Sequence, residues 1–133
     1  MTQEARLYLA KSREVLQDAR DFLAINKNSA AGRAAYLAGY HAAQALILVR
    51  TGKIAKTHKG VHAEFHKLTQ HEPKADIELR RFLSRTYDLK AVADYEVGPN
   101  AIIPLDIIKD SISAAERFVK IVGELVDETE EKD

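Results

Sequence analysis

Residues 30–51 constrain the fold more than any other stretch. The run Ala30-Ala-Gly-Arg33-Ala-Ala-Tyr36-Leu-Ala-Gly-Tyr40-His41-Ala-Ala-Gln-Ala-Leu-Ile-Leu-Val-Arg50 reads as one helix that is apolar nearly all round. A helix without a broad polar face has to be surrounded by protein. Its alanines and glycines also let a neighbouring backbone come close. The chain therefore needs a central helix with others packed about it. The few polar groups in that helix must find partners or line a pocket.

The rest of the sequence supplies the neighbours. Ala5, Leu9, Ser12, Leu16, Ala19 and Leu23 alternate spacings of four and three, the stripe of a helix over about 3–25. Asn26-Lys-Asn-Ser29 is a polar break, with Ser29 the expected cap of the central helix. Gly52 suits the left-handed position that closes it. Thr57 is a good N-cap for a third helix running to about 71, with Val61, Phe65 and Leu68 inward. Glu72-Pro73 breaks the chain, and a fourth helix is expected over about 74–96. Leu79, Phe82, Thr86, Leu89 and Ala93 form its stripe, flanked by Leu83 and Tyr87. Gly98-Pro99-Asn100 ends it. Ile108, Ile112, Ala115, Val119, Val122 and Val126 mark a fifth helix from about 104 to 127, with Pro104 in its first turn. No segment alternates as a strand does. The expectation is an all-α, up-and-down bundle of four to five helices. One domain would span residues 1–126, followed by a frayed acidic tail at 127–133.

Composition narrows the function. Twenty basic residues balance twenty acidic ones, which argues against a protein coated in positive charge for nucleic acid. The last seven residues hold five acids and one base, so the remainder carries a charge of +4. The chain lacks cysteine, which rules out disulfides and thiolate chemistry. Its start does not resemble a signal peptide. The most apolar run, Ala42 to Val49, is far shorter than the roughly 20 residues of a membrane span. A cytoplasmic protein is expected, with no membrane contact.

Four constellations carry the candidate chemistry. Arg33, Tyr36, Tyr40 and His41 fall within about two turns of the central helix. They read either as a pocket for phosphate or carboxylate, or as a buried network that fixes helix register. Thr57-His58-Lys59-Gly60 opens the third helix, where free N–H groups and the helix dipole favour an anion. It lacks the glycine-rich run of a P-loop. His58, His62 and His66 form a ladder on the third helix. They turn from the core edge towards solvent at about 60°, 100° and 140° from the apolar direction. Without a carboxylate at matching spacing, no metal is expected there. On the fourth helix, Lys90 and Asp94 are an i,i+4 pair beside Tyr95. Asp94 is placed to face Arg33 or His41 across the bundle. No Ser–His–Asp order, catalytic carboxylate pair or nucleotide fingerprint stands out, and no cofactor is expected.

Taken in order, Arg33-x-x-Tyr36-x-x-x-Tyr40-His41, Thr57-His58-Lys59-Gly60 and Lys90-Ala-Val-Ala-Asp94-Tyr95 resemble the HEPN superfamily. These are small helical prokaryotic proteins often encoded beside minimal nucleotidyltransferases. The resemblance covers about residues 5–125 and is closest to an uncharacterised branch. It implies a helical bundle, commonly a homodimer. It also implies a nucleotide- or RNA-binding partner of a nucleotidyltransferase, as in toxin–antitoxin pairs. Under that reading Arg33, Lys59 and Lys90 meet phosphate, and His41 and His58 donate hydrogen bonds or protons. Tyr36 and Tyr95 stack or hydrogen-bond, and Asp94 orients its neighbours. Ribonuclease members carry Arg-x4–6-His late in the bundle. Here no histidine follows His71, so that motif is absent. Whether the chain is an enzyme stays open. A metal-independent ribonuclease using His41 or His58 with Arg33, and a ligand-free structural adaptor, remain alternatives.

Overall fold

The computed structural model describes residues 3–131. Among them are five α-helices, one short 3-10 turn and no strand. α1 is Gln3–Ala24, α2 Asn28–Thr51, α3 His58–Leu68, α4 Ile77–Tyr95 and α5 Leu105–Glu131, with the turn at Gly98–Ala101. The expected all-α bundle is what forms.

α2 is the axis. It packs against each of the other four α-helices. Its buried residues lie on every side, from Ala31 to Leu48. A surface apolar all round is thus covered by the chain's own helices. Small residues make this possible. A Cβ built at Gly39 would stand 2.3 Å from Cε2 of Phe82, and one at Gly32 would stand 2.8 Å from Cδ1 of Ile108. α4 and α5 therefore approach α2 where it has no side chain. Phe82 stacks on Phe118 with ring centroids 4.6 Å apart, and Phe65 meets Phe118 at 5.1 Å. The hydroxyl of Ser12 donates to the carbonyl of Ala38 at 2.6 Å, so the polar member of the α1 stripe is satisfied across the α1–α2 contact.

Termini follow local chemistry. Gly52 has φ +73° and its N–H donates to the carbonyl of Leu48, the left-handed closure expected of it. Thr57 caps α3 by accepting from the N–H of Gly60 at 3.0 Å. Four boundaries differ from expectation. α2 begins at Asn28 and Lys27 is its cap residue, so Ser29 lies inside the helix. Its hydroxyl instead donates to the carbonyl of Ala101 at 3.2 Å, tying α2 to the 3-10 turn. α4 starts at Ile77, because Asp76 caps it by accepting from the N–H of Leu79. α3 ends at Leu68 and α5 continues to Glu131. The helix thus enters the acidic segment expected to fray, where Thr129 accepts from Nε of Arg50 at 3.0 Å. Lys132 and Asp133 of that segment lie outside the described residues, as do Met1 and Thr2. Among the described residues, no helix is long and apolar enough to cross a membrane.

Candidate functional site

The site begins with the loop between α2 and α3. Tyr40 donates its hydroxyl to the carbonyl of Lys56 at 2.9 Å, and the side-chain amide of Gln44 donates to the carbonyl of Ala55 at 2.8 Å. Two α2 side chains thereby hold the loop against the central helix. They set where Thr57 starts α3, and hence where His58 stands. Nδ1 of His41 lies 2.8 Å from the amide oxygen of Gln44. That oxygen can only accept, so His41 donates and keeps Gln44 turned to the loop.

At the centre, the Tyr36 hydroxyl lies 2.7 Å from Nδ1 of His58 and 2.8 Å from Nε2 of His62. Tyr36 is fully buried. Tyr87 from α4 closes the cluster, its ring 5.4 Å from Tyr36, 5.3 Å from His58 and 5.6 Å from His62. Burial pushes the Tyr36 hydroxyl pKa far above its ordinary value, with Tyr40 and Tyr87 adding to the shift. Burial lowers both histidines. The cation Lys90 lowers His58 further, partly offset by Asp94, and His58 lowers His62. Both imidazoles are therefore held towards the neutral form.

Behind this cluster lies an ion triad. Asp94 accepts from Nε of Arg33 at 2.8 Å with one oxygen and from Nζ of Lys90 at 2.8 Å with the other. Lys90 is buried, and its ammonium lies 5.9 Å from the Tyr87 ring and 5.5 Å from the Tyr95 ring. The hydrogen bond from Lys90, then the charge of Arg33, holds the Asp94 carboxyl below the usual carboxylate range. The same bond holds Lys90 above its ordinary value.

In front lies a groove of about 680 Å3 between α3 and α4. His58, Lys59, His62, His66, Arg80 and Tyr87 line it, over a floor that includes Phe65 and Leu83. Among the described residues, no carboxylate belongs to its lining. Arg80 donates from Nη2 towards Nε2 of His66 at 3.0 Å. Nε of Arg80 is shut off from solvent and has no hydrogen-bond partner among the described residues.

The structure thus sorts the sequence candidates. Tyr36 and His58 meet at the centre, and Lys59 stands on the groove. Arg33, Lys90 and Asp94 join one another, so the partner foreseen for Asp94 across the bundle is Arg33. Lys90 is not presented to solvent as a phosphate ligand, because Asp94 and two rings enclose it. Tyr95 is exposed and covers Lys90. His41 stands apart, joined to Gln44 and edge-on to Tyr40, without a contact to Arg33 or Asp94. Among the described residues, no group of three or more His, Asp or Glu side chains is arranged to hold a metal.

Three groups at the site escaped the sequence reading. By periodicity Tyr87 falls only beside the α4 stripe, yet it lies three residues before Lys90 and seven before Asp94 on one helix face. That spacing was a usable signal. His62 reads in sequence as one rung of a ladder, and its partner Tyr36 lies on another helix. Arg80 carried no signal at all.

No curated protein matches this chain in sequence. The HEPN domain family matches it over residues 5–132, nearly its whole length. The cluster on α2, α3 and α4 falls wholly inside that match, and the chain belongs to the HEPN domain family.

Proposed function

We propose that this HEPN protein binds a nucleotide or RNA through its phosphates in the α3–α4 groove. The observation that carries the reading is the groove's one-sided chemistry: Lys59, Arg80 and three imidazoles line it without a carboxylate. Arg80 is one of those lining residues, and its guanidinium is a strong donor to a phosphate oxygen. Tyr87 and the apolar floor offer a surface for a base. Short labelled RNA and ATP, titrated separately into the full chain, test this. The double variant Lys59→Ala with Arg80→Ala should lose at least about tenfold in affinity, since each charged hydrogen bond is worth about 1.5–3 kcal/mol. Its helical circular dichroism should be retained. Parent protein that binds neither probe, or a double variant that binds as the parent does, refutes the reading.

The proposed setting follows the family: a homodimer acting beside a minimal nucleotidyltransferase, as in a toxin–antitoxin pair. Exposed apolar residues between the end of α4 and the first turn of α5, Tyr95, Val97, Ile102, Leu105 and Ile107, support association of some kind. Sedimentation at micromolar concentration and copurification from the native host test the two parts. A second reading, a metal-independent ribonuclease, is favoured by one observation: two imidazoles that share a single hydroxyl stand on the phosphate groove.

A further inference from the structure

The other flank of α4 borders a second groove of about 680 Å3, between α4 and α5. Both helices rest on α2. Asp76, the cap of α4, pairs with Arg117 midway along α5, so the two helices run in opposite directions. α5 carries two adjacent stripes. Ile108, Ile112, Ala115 and Val119 belong to the core. The residues one place before them, Ile107, Ser111, Ala114 and Phe118, line the groove, with Phe82 and Leu89 on the α4 side. The lining runs from Glu78 to Leu89 on α4 and from Ile107 to Phe118 on α5. Each wall is therefore about 16 Å long, about three turns of helix.

Midway along, the walls are small: Thr86 on α4, Ser111 and Ala114 on α5. Both hydroxyls are already engaged. Thr86 donates to the carbonyl of Phe82 at 2.7 Å, and Ser111 to that of Ile107 at 2.8 Å. Neither needs an acceptor from an occupant, so the notch between larger apolar residues suits an apolar side chain. The charges around it do not balance. Asp76 is answered by Arg117, and Glu78 by Arg85. Asp88 from α4 and Asp110 from α5 also line the groove, and among the described residues neither has an ion-pair partner. One uncompensated negative charge thus stands on each wall.

We propose that the α4–α5 groove docks a basic amphipathic helix of another protein, its apolar ridge in the notch and its lysines or arginines on Asp88 and Asp110. A helix laid between two antiparallel helices packs ridge into groove, and it is read through apolar anchors three, four and seven residues apart. A second copy of this chain has no such ridge to offer. Its exposed large apolar residues within helices are Leu7 on α1, Ile77 and Tyr95 on α4, and Leu105 and Ile107 on α5, and no two stand three or four apart. The occupant's charge also sets its place. Lys59 and Arg80 on the α3–α4 groove repel a basic helix, so the two flanks of α4 sort their ligands by charge. The docking does not depend on what fills the α3–α4 groove.

The test pans a displayed library of helical peptides, about 15 residues or four turns long, on the full chain. Selected peptides are then titrated by fluorescence anisotropy. They should carry apolar residues at the spacing of one helix face, flanked by lysine or arginine. Ala114→Trp fills the notch from a half-buried position and should weaken binding at least about thirtyfold, as loss of a central anchor does. Asp88→Lys with Asp110→Lys, both exposed, should weaken it about tenfold. The same peptide with glutamate for its basic residues should bind that double variant better than the parent. Both variants should bind RNA or ATP as the parent does, which separates this surface from the phosphate groove. A library that yields no binder, binders that are acidic or lack the apolar face, or binders unaffected by the double charge reversal each overturn the proposal. So does a dimer of the parent that the charge reversal or Ala114→Trp dissolves, since a second copy then fills the groove. If Ala114→Trp fails to fold, the charge reversal and the exchanged peptide still decide.

Discussion

Gly39→Ala places a methyl group in the contact between α2 and α4. The built Cβ stands 2.3 Å from Cε2 and 3.0 Å from Cδ2 of Phe82, and 3.3 Å from Cδ1 of Phe118. Something must shift, and the ring that must give first is Phe82, which already stacks on Phe118. Phe82 is 3% exposed and Phe118 1%, and they stack at 4.6 Å with planes 27° apart. Overpacking of this kind costs about 1–3 kcal/mol, and two pinned rings place this case near the upper end. Against that, alanine is about 1 kcal/mol better than glycine inside a helix. The net expectation is a loss of about 2 kcal/mol, or about 8 °C in Tm for a domain of this size. Gly123→Ala is the control. It lies inside α5 with only the end of the flexible Arg13 side chain at 3.4 Å and Leu9 at 3.9 Å. It should gain about 0.5–1 kcal/mol by the same propensity. Urea unfolding of both variants gives the comparison. Adding Phe82→Leu to Gly39→Ala should recover part of the loss, because the clash is with that ring. A Gly39→Ala variant as stable as the parent would refute the close approach of α4 to α2, and with it the placement of Tyr87 against Tyr36.

Three further outcomes are expected. Asp94→Asn should shift the His58 titration still lower, because Asp94 raises it and Lys90 lowers it; an NMR titration showing an unchanged or higher pKa refutes the triad's influence. Folded pKa values of His58 and His62 lie below their unfolded values, so the unfolded chain binds more protons as the pH drops through about 6.5. Stability present above that pH should decline below it, and Tm measured between pH 7.5 and 5.5 should fall less steeply in His62→Gln. The ladder should hold no stoichiometric zinc, since Tyr36 engages one nitrogen of His58 and of His62, and Arg80 engages His66. Zinc that survives dialysis against a chelator and is lost in His62→Ala overturns this.

Helical periodicity and caps are local, and they were legible. The α5 stripe from Ile108 to Val126 is buried at every expected position, and Gly52 and Thr57 do what their residue types suit. Boundaries decided by long-range partners were not legible. Ser29 looks like a cap until Ala101 offers its carbonyl, and α5 persists into acidic sequence where Arg50 reaches Thr129. The site divides the same way. Arg33, Tyr36 and His41 share one helix in sequence, but Arg33 goes to Asp94, Tyr36 to α3 and His41 to Gln44. Small offsets along a helix cannot say which neighbour each side chain will meet. Lys90 shows the converse. A lysine two turns from Leu83 reads as a surface cation, yet one carboxylate and two rings bury it.

A chain of zero net charge can still hold phosphate if its cations are left unpaired in one place. Several cations elsewhere on this surface meet carboxylates: Arg20 with Glu116, Arg85 with Glu78, Arg117 with Asp76, and Lys74 with Glu128. Among the described residues, Lys59 and Arg80 are the only permanently charged side chains lining the α3–α4 groove, and no carboxylate lines it with them. That sets a quantitative limit on RNA binding. Two neutralised phosphates on a single strand give a slope of log affinity against log salt of about −1.4. Raising salt from about 50 to about 200 mM should then weaken binding by only about sevenfold. Lys59→Ala should flatten the slope by about 0.7. A parent slope steeper than about −4 would mean that RNA runs across a wide basic surface instead. That result would remove the groove as the binding site, whatever the affinity.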